Sequence, residues 1–281
     1  MQKFLFLFCL LAAQAVSAQK PFGKLLKEPP GLVSYSLRED FAKDVGATLD
    51  KIKAIGITNM EMSNLFGRPA AELRALLDAR GMRCTSYGVG YDALMKRTDQ
   101  VIADAKTLGV EFVRLGSFPR KAPFDQAQAD KVIAEFNQVG KTLREAGFTF
   151  VYHNHGFEFQ PWKDGLTYYD YMVQNTNPAD VSYEMDILWV FHPGQDPVAL
   201  LKRYPTRFKL MHVKDLKRGV KGDLTGGTPP ENDVALGTGQ IDLPAVLKAA
   251  KKTRIKYFYI EDENPAAERQ IPVSLAYLKS L

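Results

Sequence analysis

Eight alternations of a short apolar run with a stretch of helical periodicity predict an α/β protein of the (β/α)8 TIM-barrel class. Three observations carry that prediction. The alternation fills about 250 of the 281 residues, the usual span of such a barrel. Glycines close the first four helical stretches, where a left-handed residue ends a helix at least cost. Apolar runs in the second half stop abruptly on His, Asp or Glu, as strands buried on both faces do where their loops begin.

In chain order, the first strand is expected at Gly31–Leu37 and the first helix at Phe41–Ile55, closed by Gly56. Ile57–Met62 reads as strand two, ending near Glu61. Pro69 opens a helix through Arg80 and Gly81 stops it, with proline just inside the start and glycine past the end. Met82–Tyr87 is strand three and Asp92–Leu108 its helix, closed by Gly109; Val110–Leu115 is strand four, followed by a helix over Asp125–Ala146 and by Gly147. Phe148–His153, Val181–Asp186, Arg207–Val213 and Lys256–Glu261 are strands five to eight. Their helices are Leu166–Asn175, Pro197–Arg203, Leu243–Lys252 and Ala266–Leu278. A doubly wound open sheet is the competing architecture, but Gly237-Thr238-Gly239 follows a loop and lacks the third glycine of a nucleotide fingerprint.

The barrel is assigned to residues 31–281, behind a Lys- and Pro-rich lead-in at 19–30. Residues 1–18 read as a signal peptide: Lys3, an apolar run from Phe4 to Ala13, and the small-residue pattern Val16-Ser17-Ala18. The expectation is a soluble exported protein, periplasmic or extracellular, with no membrane contact after cleavage. Removing the segment takes Cys9 with it and leaves Cys84 as the single cysteine, so no intrachain disulfide forms. The net charge of +5 is scattered, and nothing in it argues for a nucleic-acid partner.

Strands five to eight deliver His153, Asp186, His212 and Glu261 to one mouth, since barrel sites lie at the C-terminal ends of the strands. Two imidazoles and two carboxylates suit one divalent ion of borderline hardness, and Mn²⁺, Co²⁺, Zn²⁺ and Mg²⁺ all qualify. Around this set stand candidate substrate contacts. His155 either orients His153 or touches substrate, and Glu158 is either an acid/base group or a solvated glutamate between packed rings. Glu61 reaches sugar hydroxyls or makes a surface ion pair, and Trp189 is a flat apolar face for a sugar or a core residue. Lys214 polarises a carbonyl or pairs with Asp215; His192 reads as structural, and Asp262 and Glu263 as helix-approach charges. The connection Lys217–Leu236 is longer than a plain βα loop, and its glycines fit a lid.

Six stretches together carry a resemblance: EMSNLFG at 61–67, YHNHGFEF at 152–159, MDILW at 185–189, HVKD at 212–215, LGTGQID at 236–242 and YIEDE at 259–263. In this order they resemble the xylose isomerase-like TIM-barrel superfamily of sugar isomerases and epimerases. The resemblance implies a divalent metal at the ends of strands five to eight and a small-molecule sugar substrate. Two departures stand out. His153 takes the place of the glutamate that usually closes strand five in these epimerases, and Trp189 stands where a histidine is common. YHNH and the PGQDP turn at 193–197 resemble inosose dehydratases instead.

Both readings share one step, in which a base removes the proton beside a metal-bound carbonyl and the metal stabilises the enediolate. Returning the proton elsewhere makes an isomerase or epimerase, which is the first expectation. Expelling a β-substituent makes a lyase acting on a keto sugar or keto inositol. Glu261 is the expected base, His153 a ligand or acid/base partner, Asp186 and His212 ligands, and Lys214 electrostatic support. Two further classes are a non-catalytic sugar-binding barrel and a hydrolase resembling endonuclease IV; the latter needs several zinc ions, and four histidines are few for that.

Overall fold

A computed structural model describes residues 22–281. The expected signal peptide, 1–18, and the start of the lead-in lie outside the described residues.

Eight parallel strands close into a barrel in sequence order: β1 Gly31–Val33, β2 Asn59–Met62, β3 Arg83–Val89, β4 Phe112–Leu115, β5 Thr149–His153, β6 Val181–Asp186, β7 Phe208–Val213 and β8 Tyr257–Ile260. β1 pairs with β8 through Gly31 and Leu32, so no edge is left open. The helices form the outer layer and bury one large apolar core against the strands. Among the described residues no helix is long and apolar enough to cross a membrane.

Strand periodicity sets what fills the barrel. Residues two apart share a face, and a separate interior cluster contains Phe112, Val151, Leu210 and Tyr259. One step further along the same strands come Arg114, His153, His212 and Glu261. The apolar plug is therefore followed, toward the C-terminal mouth, by a polar layer. Asn59 and Glu61 repeat the step on β2. The pairing register shifts between Met60 and Glu61 and again between Tyr183 and Glu184. Irregularities of this kind re-aim side chains beside active sites, and here each falls at a buried glutamate.

Several boundaries differ from the sequence reading, each for a local reason. β1 ends at Val33, and Ser34–Leu37 forms a helical turn in which the Ser34 hydroxyl accepts the Ser63 N–H (2.8 Å). The expected helix Phe41–Ile55 is two, Arg38–Lys43 and Val45–Ala54; Asp44 is extended between them and caps the second through the Ala47 N–H (2.9 Å). Asp92–Leu108 likewise divides at Arg97 into Tyr91–Lys96 and Thr98–Leu108. Helical spacing persists across both breaks because the two halves still face the same core. The five-residue helix Ile187–Phe191 follows β6 without a loop and was not anticipated: a uniformly apolar run has no period to read. Cys84 is a free thiol buried on β3.

One polar junction ties the outer layer together. Thr167 and Asp170 form a reciprocal capping box at the start of helix Tyr168–Asn175. Asp170 Oδ1 also accepts Arg203 Nη1 (2.7 Å) and the Tyr204 hydroxyl (2.8 Å) from the end of the helix Pro197–Arg203. Burial pushes this carboxyl up, but the Thr167 donors, Arg203 and Tyr204 outweigh it and hold its pKa below the ordinary carboxylate value. Such a group adds stability that is whole above the unfolded pKa of about 3.9 and is lost as pH falls through the folded value. We expect Asp170→Ala to cost about 1–3 kcal/mol at pH 7, read from urea denaturation. The gap to wild type should narrow at pH 3; an equal gap at both pH values would show that the carboxylate charge is not what stabilises the junction.

Candidate metal centre

His153, Asp186, His212 and Glu261 each offer a ligand atom such that all four atoms lie within 4.8 Å of one another. Asp186 Oδ2 is 3.8 Å from His153 Nε2 and 3.9 Å from His212 Nδ1, and Glu261 Oε2 is 3.0 Å from His212 Nδ1. Each comes from the end of a different strand, paired so that Asp186 stands beside His212 in the register. Asp186 divides its carboxylate between two tasks. Oδ1 accepts the Trp189 N–H (2.9 Å) and caps the short helix, while Oδ2 is buried with no hydrogen-bond donor. A buried carboxylate oxygen without a donor costs several kcal/mol unless a cation meets it. Two imidazoles, two carboxylates and that orphan oxygen fit a divalent ion.

The far nitrogens of both imidazoles are held by acids. His153 Nδ1 lies 3.1 Å from Glu184 Oε2; His212 Nε2 lies 2.8 Å from Glu61 Oε1 and 3.1 Å from Glu184 Oε2. Carboxylates there place the ring proton on the far nitrogen and turn the near one toward the ligand set. Burial, with His212 and His155 beside it, drops the His153 pKa well below normal and keeps the ring neutral. Burial also opposes charge on His212, but Glu184, Glu261 and Glu61 overcome it and raise its pKa well above normal. A proton on its Nδ1 thus stands where an ion would bind, and the two compete.

The acids are tuned apart by their neighbours. Burial acts against charge on Glu61, yet Arg114 and His212 pull its pKa down to about 2. Burial and then Glu61 push Glu184 up to about 7. Burial raises Asp186 to about 7 as well, Lys214 opposing and Glu261 reinforcing it. Glu261 is held well below the carboxylate range, because Lys214 and His212 together outweigh its burial. Lys214 is itself buried, with Nζ 3.1 Å from Glu261 Oε2 and 3.2 Å from Asp233 Oδ2.

A cavity of about 640 Å³ opens over the set and is lined in part by His153, His155, Trp189, Arg114, Glu261 and Glu263. Asp186 and His212 are fully buried beneath it. His155 presents a ring whose Nδ1 has no partner and whose pKa burial lowers to about 3, leaving a neutral imidazole at the wall. The two other residues expected to touch substrate do not line the cavity. Glu158 lies under the loop after β5, hydrogen-bonded to the Tyr152 hydroxyl and the His155 N–H. Glu61 lies below the set, against Arg114 and His212. Asp215 does not pair with Lys214 but gathers the N–H groups of Gly237, Gly239 and Ile241. The long connection after β7 covers part of the mouth through Gly226, Gly227 and Thr228, and its end is pinned where Asp233 meets Lys214 and the Glu263 N–H (3.0 Å).

Arg114 and Glu184 belong to the site and have no part in the sequence reading, while Glu263, expected as a helix-approach charge, lines the cavity beside Lys214. For two of them a signal existed: Arg114 is a lone charge inside an apolar strand, and Glu184 precedes Asp186 by two, hence on the same face.

The profile of the xylose isomerase-like TIM barrel family matches residues 49–281. The chain belongs to that family. Inosose dehydratase from Bacillus anthracis is 31% identical over 217 residues, covering 68% of this chain and 72% of the relative. A sugar phosphate isomerase/epimerase from Parabacteroides distasonis has the same fold at 24% identity, with a TM-score of 0.73 over 95% of this chain and 96% of that one. The crystal structure of IolI protein with a zinc atom aligns at 14% identity, TM-score 0.70, over 90% and 96% of the two chains. The curated relative is named a dehydratase, and the solved structure that shares the fold is named a sugar phosphate isomerase/epimerase.

We expect Asp186→Ala combined with His212→Ala to retain no divalent ion after dialysis, as measured by elemental analysis. Glu184→Gln, which leaves every ligand in place, should weaken binding about 10–100-fold. A double variant that keeps a full equivalent of metal would put the site elsewhere.

Proposed function

We propose that this chain is a divalent-metal-dependent lyase that removes the proton beside the carbonyl of a keto sugar or keto-cyclitol and expels the β-substituent. One observation carries the choice: of the two carboxylates in the ligand set, only Glu261 lines the cavity, and the strand-five position opposite holds His153, a neutral imidazole. Epimerisation needs bases on both faces of a carbon. An imidazole that gives Nε2 to an ion and Nδ1–H to Glu184 has no free lone pair for a proton. Elimination needs one base and one acid. The name of the 31% identical relatives, inosose dehydratase, supports the same reading.

When bound, the ion supplies positive charge to the carbonyl oxygen and acidifies the adjacent C–H. The protein supplies the rest. Glu261 is kept ionised by Lys214 and His212, which makes it the proton acceptor. Lys214 stays charged and buried beside it and steadies the negative charge that develops as the C–H proton leaves. Arg114 lines the cavity while its buried Nε stands 2.7 Å from Glu61 Oε1, so the guanidinium is fixed in place and disposed to hold a substrate oxygen through its other N–H groups. His155, neutral and with Nδ1 unpartnered, stands at the wall as the group that relays the proton from Glu261 to the departing oxygen. The ion could be Mn²⁺, Co²⁺, Zn²⁺ or Mg²⁺, since mixed nitrogen and oxygen ligands admit all four. Isomerisation shares the first step, and His155 returning the proton to a neighbouring carbon is the second reading. We also propose that the enzyme works outside the cytoplasm, on the strength of residues 1–18; N-terminal sequencing of secreted protein should then start at Gln19.

The deciding measurement is incubation of manganese-loaded protein with inososes and 3-keto sugars in D₂O, followed by NMR and ultraviolet spectroscopy. We expect an unsaturated ketone or its enol tautomer as product. Deuterated epimers with no unsaturated product would overturn elimination in favour of isomerisation. Glu261→Gln should lower turnover about 10²–10⁴-fold, and His153→Glu should keep metal binding and shift the product balance toward epimers.

A further inference from the structure

The cavity is larger than the reacting ring needs, and its two halves differ. At about 30 Å³ per heavy atom, the share of a water in the liquid, a monosaccharide of about twelve heavy atoms fills at most about 360 Å³. The cavity measures about 640 Å³. The half over β5 to β8 holds the ligand set and the acid/base groups. The half over β1 to β4 is cut from small residues, among them Ser63, Gly90 and Ser117, and is edged by the rings of Tyr35 and Tyr91.

Gly90 shows what that second half is for. Its φ of −74° and ψ of 150° suit any residue, and a Cβ there would meet nothing within 4 Å. Neither backbone nor packing requires glycine, so what its lack of a side chain provides is open space. Gly88 and Gly116 are different, because a Cβ on either would strike the Arg114 guanidinium at 2.8 Å. The two tyrosines are held in place. The Tyr91 hydroxyl donates to Glu135 (2.8 Å) and accepts from Lys131 (2.9 Å), while the Arg38 guanidinium stacks 4.7 Å over the Tyr35 ring. Aromatic faces fixed in this way suit a second ring. The charges on this side of the cavity are already engaged, Arg114 by Glu61 and Glu184, Lys131 by Glu135, and Arg38 over the Tyr35 ring, so the ring that fits is neutral.

We propose that this half is a leaving-group subsite, and that the substrate is a keto sugar joined through oxygen at its β-carbon to a second neutral ring. The inference rests on the elimination reading above and names its substrate class. The base takes the α-proton and the C–H electron pair becomes the new C=C bond. The β-C–O bond breaks with its pair on oxygen, the proton taken by Glu261 passes to that oxygen through the neutral His155 ring, and the second ring leaves as an alcohol with the base restored. No oxidant, reductant or water is consumed.

Calorimetric binding to manganese-loaded protein tests the subsite without turnover, using glucose, cellobiose and 4-nitrophenyl β-D-glucopyranoside, none of which carries the ketone. At least one glycoside should bind about tenfold or more tightly than glucose, and which one does separates a sugar from an aromatic leaving ring. Gly90→Leu, which fills the space, and Tyr35→Ala, a change at the exposed rim that folding tolerates, should each remove the preference. Neither glycoside exceeding glucose, or both variants keeping the wild-type preference, overturns the proposal. The 3-keto forms then test the reaction separately. Release of the second ring with an unsaturated ketone supports both readings; keto glycosides that bind with the same preference but return only epimers sink the elimination and leave the ring site standing.

Discussion

The barrel mouth is organised by a surplus of buried negative charge. Glu61, Glu184, Asp186, Asp233 and Glu261 are each less than a tenth exposed and lie within a few ångströms of one another or of a shared partner. Ionised carboxylates in such surroundings cost several kcal/mol each unless matched. Arg114 and Lys214 supply two permanent positive charges and His212 a third that depends on protonation. The remainder appears as protonation: Glu184 and Asp186 are pushed up to about 7, and Asp233 well above the carboxylate range, by burial first and by acidic neighbours after it. A divalent cation beside Asp186, His212 and Glu261 answers the same imbalance, so affinity for an ion and the perturbed acids have one cause.

That arrangement depends on backbone register more than on any single pair. The apolar layer of Phe112, Val151, Leu210 and Tyr259 fills the barrel and sets the height of the next layer, which is polar because strand alternation points the following inward residues into it. Glu61 and Glu184 enter this layer at the two register shifts. The ligands sit on strand ends rather than on loops, where packing holds their geometry most firmly. The segments after the strands supply the rest of the lining: Trp189 from the short helix after β6, and the His155 ring and Gly226–Thr228 from loops.

The connection after β7 shows how a long loop can be both cover and structural part. Gly222 lies against the His192 backbone so closely that a Cβ would meet the carbonyl oxygen at 1.6 Å. Asp233 anchors the other arm on Lys214. The same lysine therefore neutralises Glu261 and fastens the loop above it. Shape and charge of the mouth are coupled through one ammonium group.

Much of this could be read from the chain alone. The barrel, its eight strands and the set His153, Asp186, His212 and Glu261 were legible because both depend on local pattern: alternation of periods 2 and 3.6, and polar residues ending apolar runs. Helix breaks at Asp44 and Arg97 were not, since the halves on either side of each break keep the same apolar face. The roles of Glu61, Glu158, Arg114, Glu184 and Asp233 were decided only by tertiary structure. Glu158 turns on its own loop toward Tyr152 and His155, and the others take their meaning from other strands and loops: Arg114 beside Glu61, Glu184 between two imidazoles, Asp233 brought back over Lys214. Burial and opposition of charge are properties of the closed sheet, and no stretch of sequence contains them.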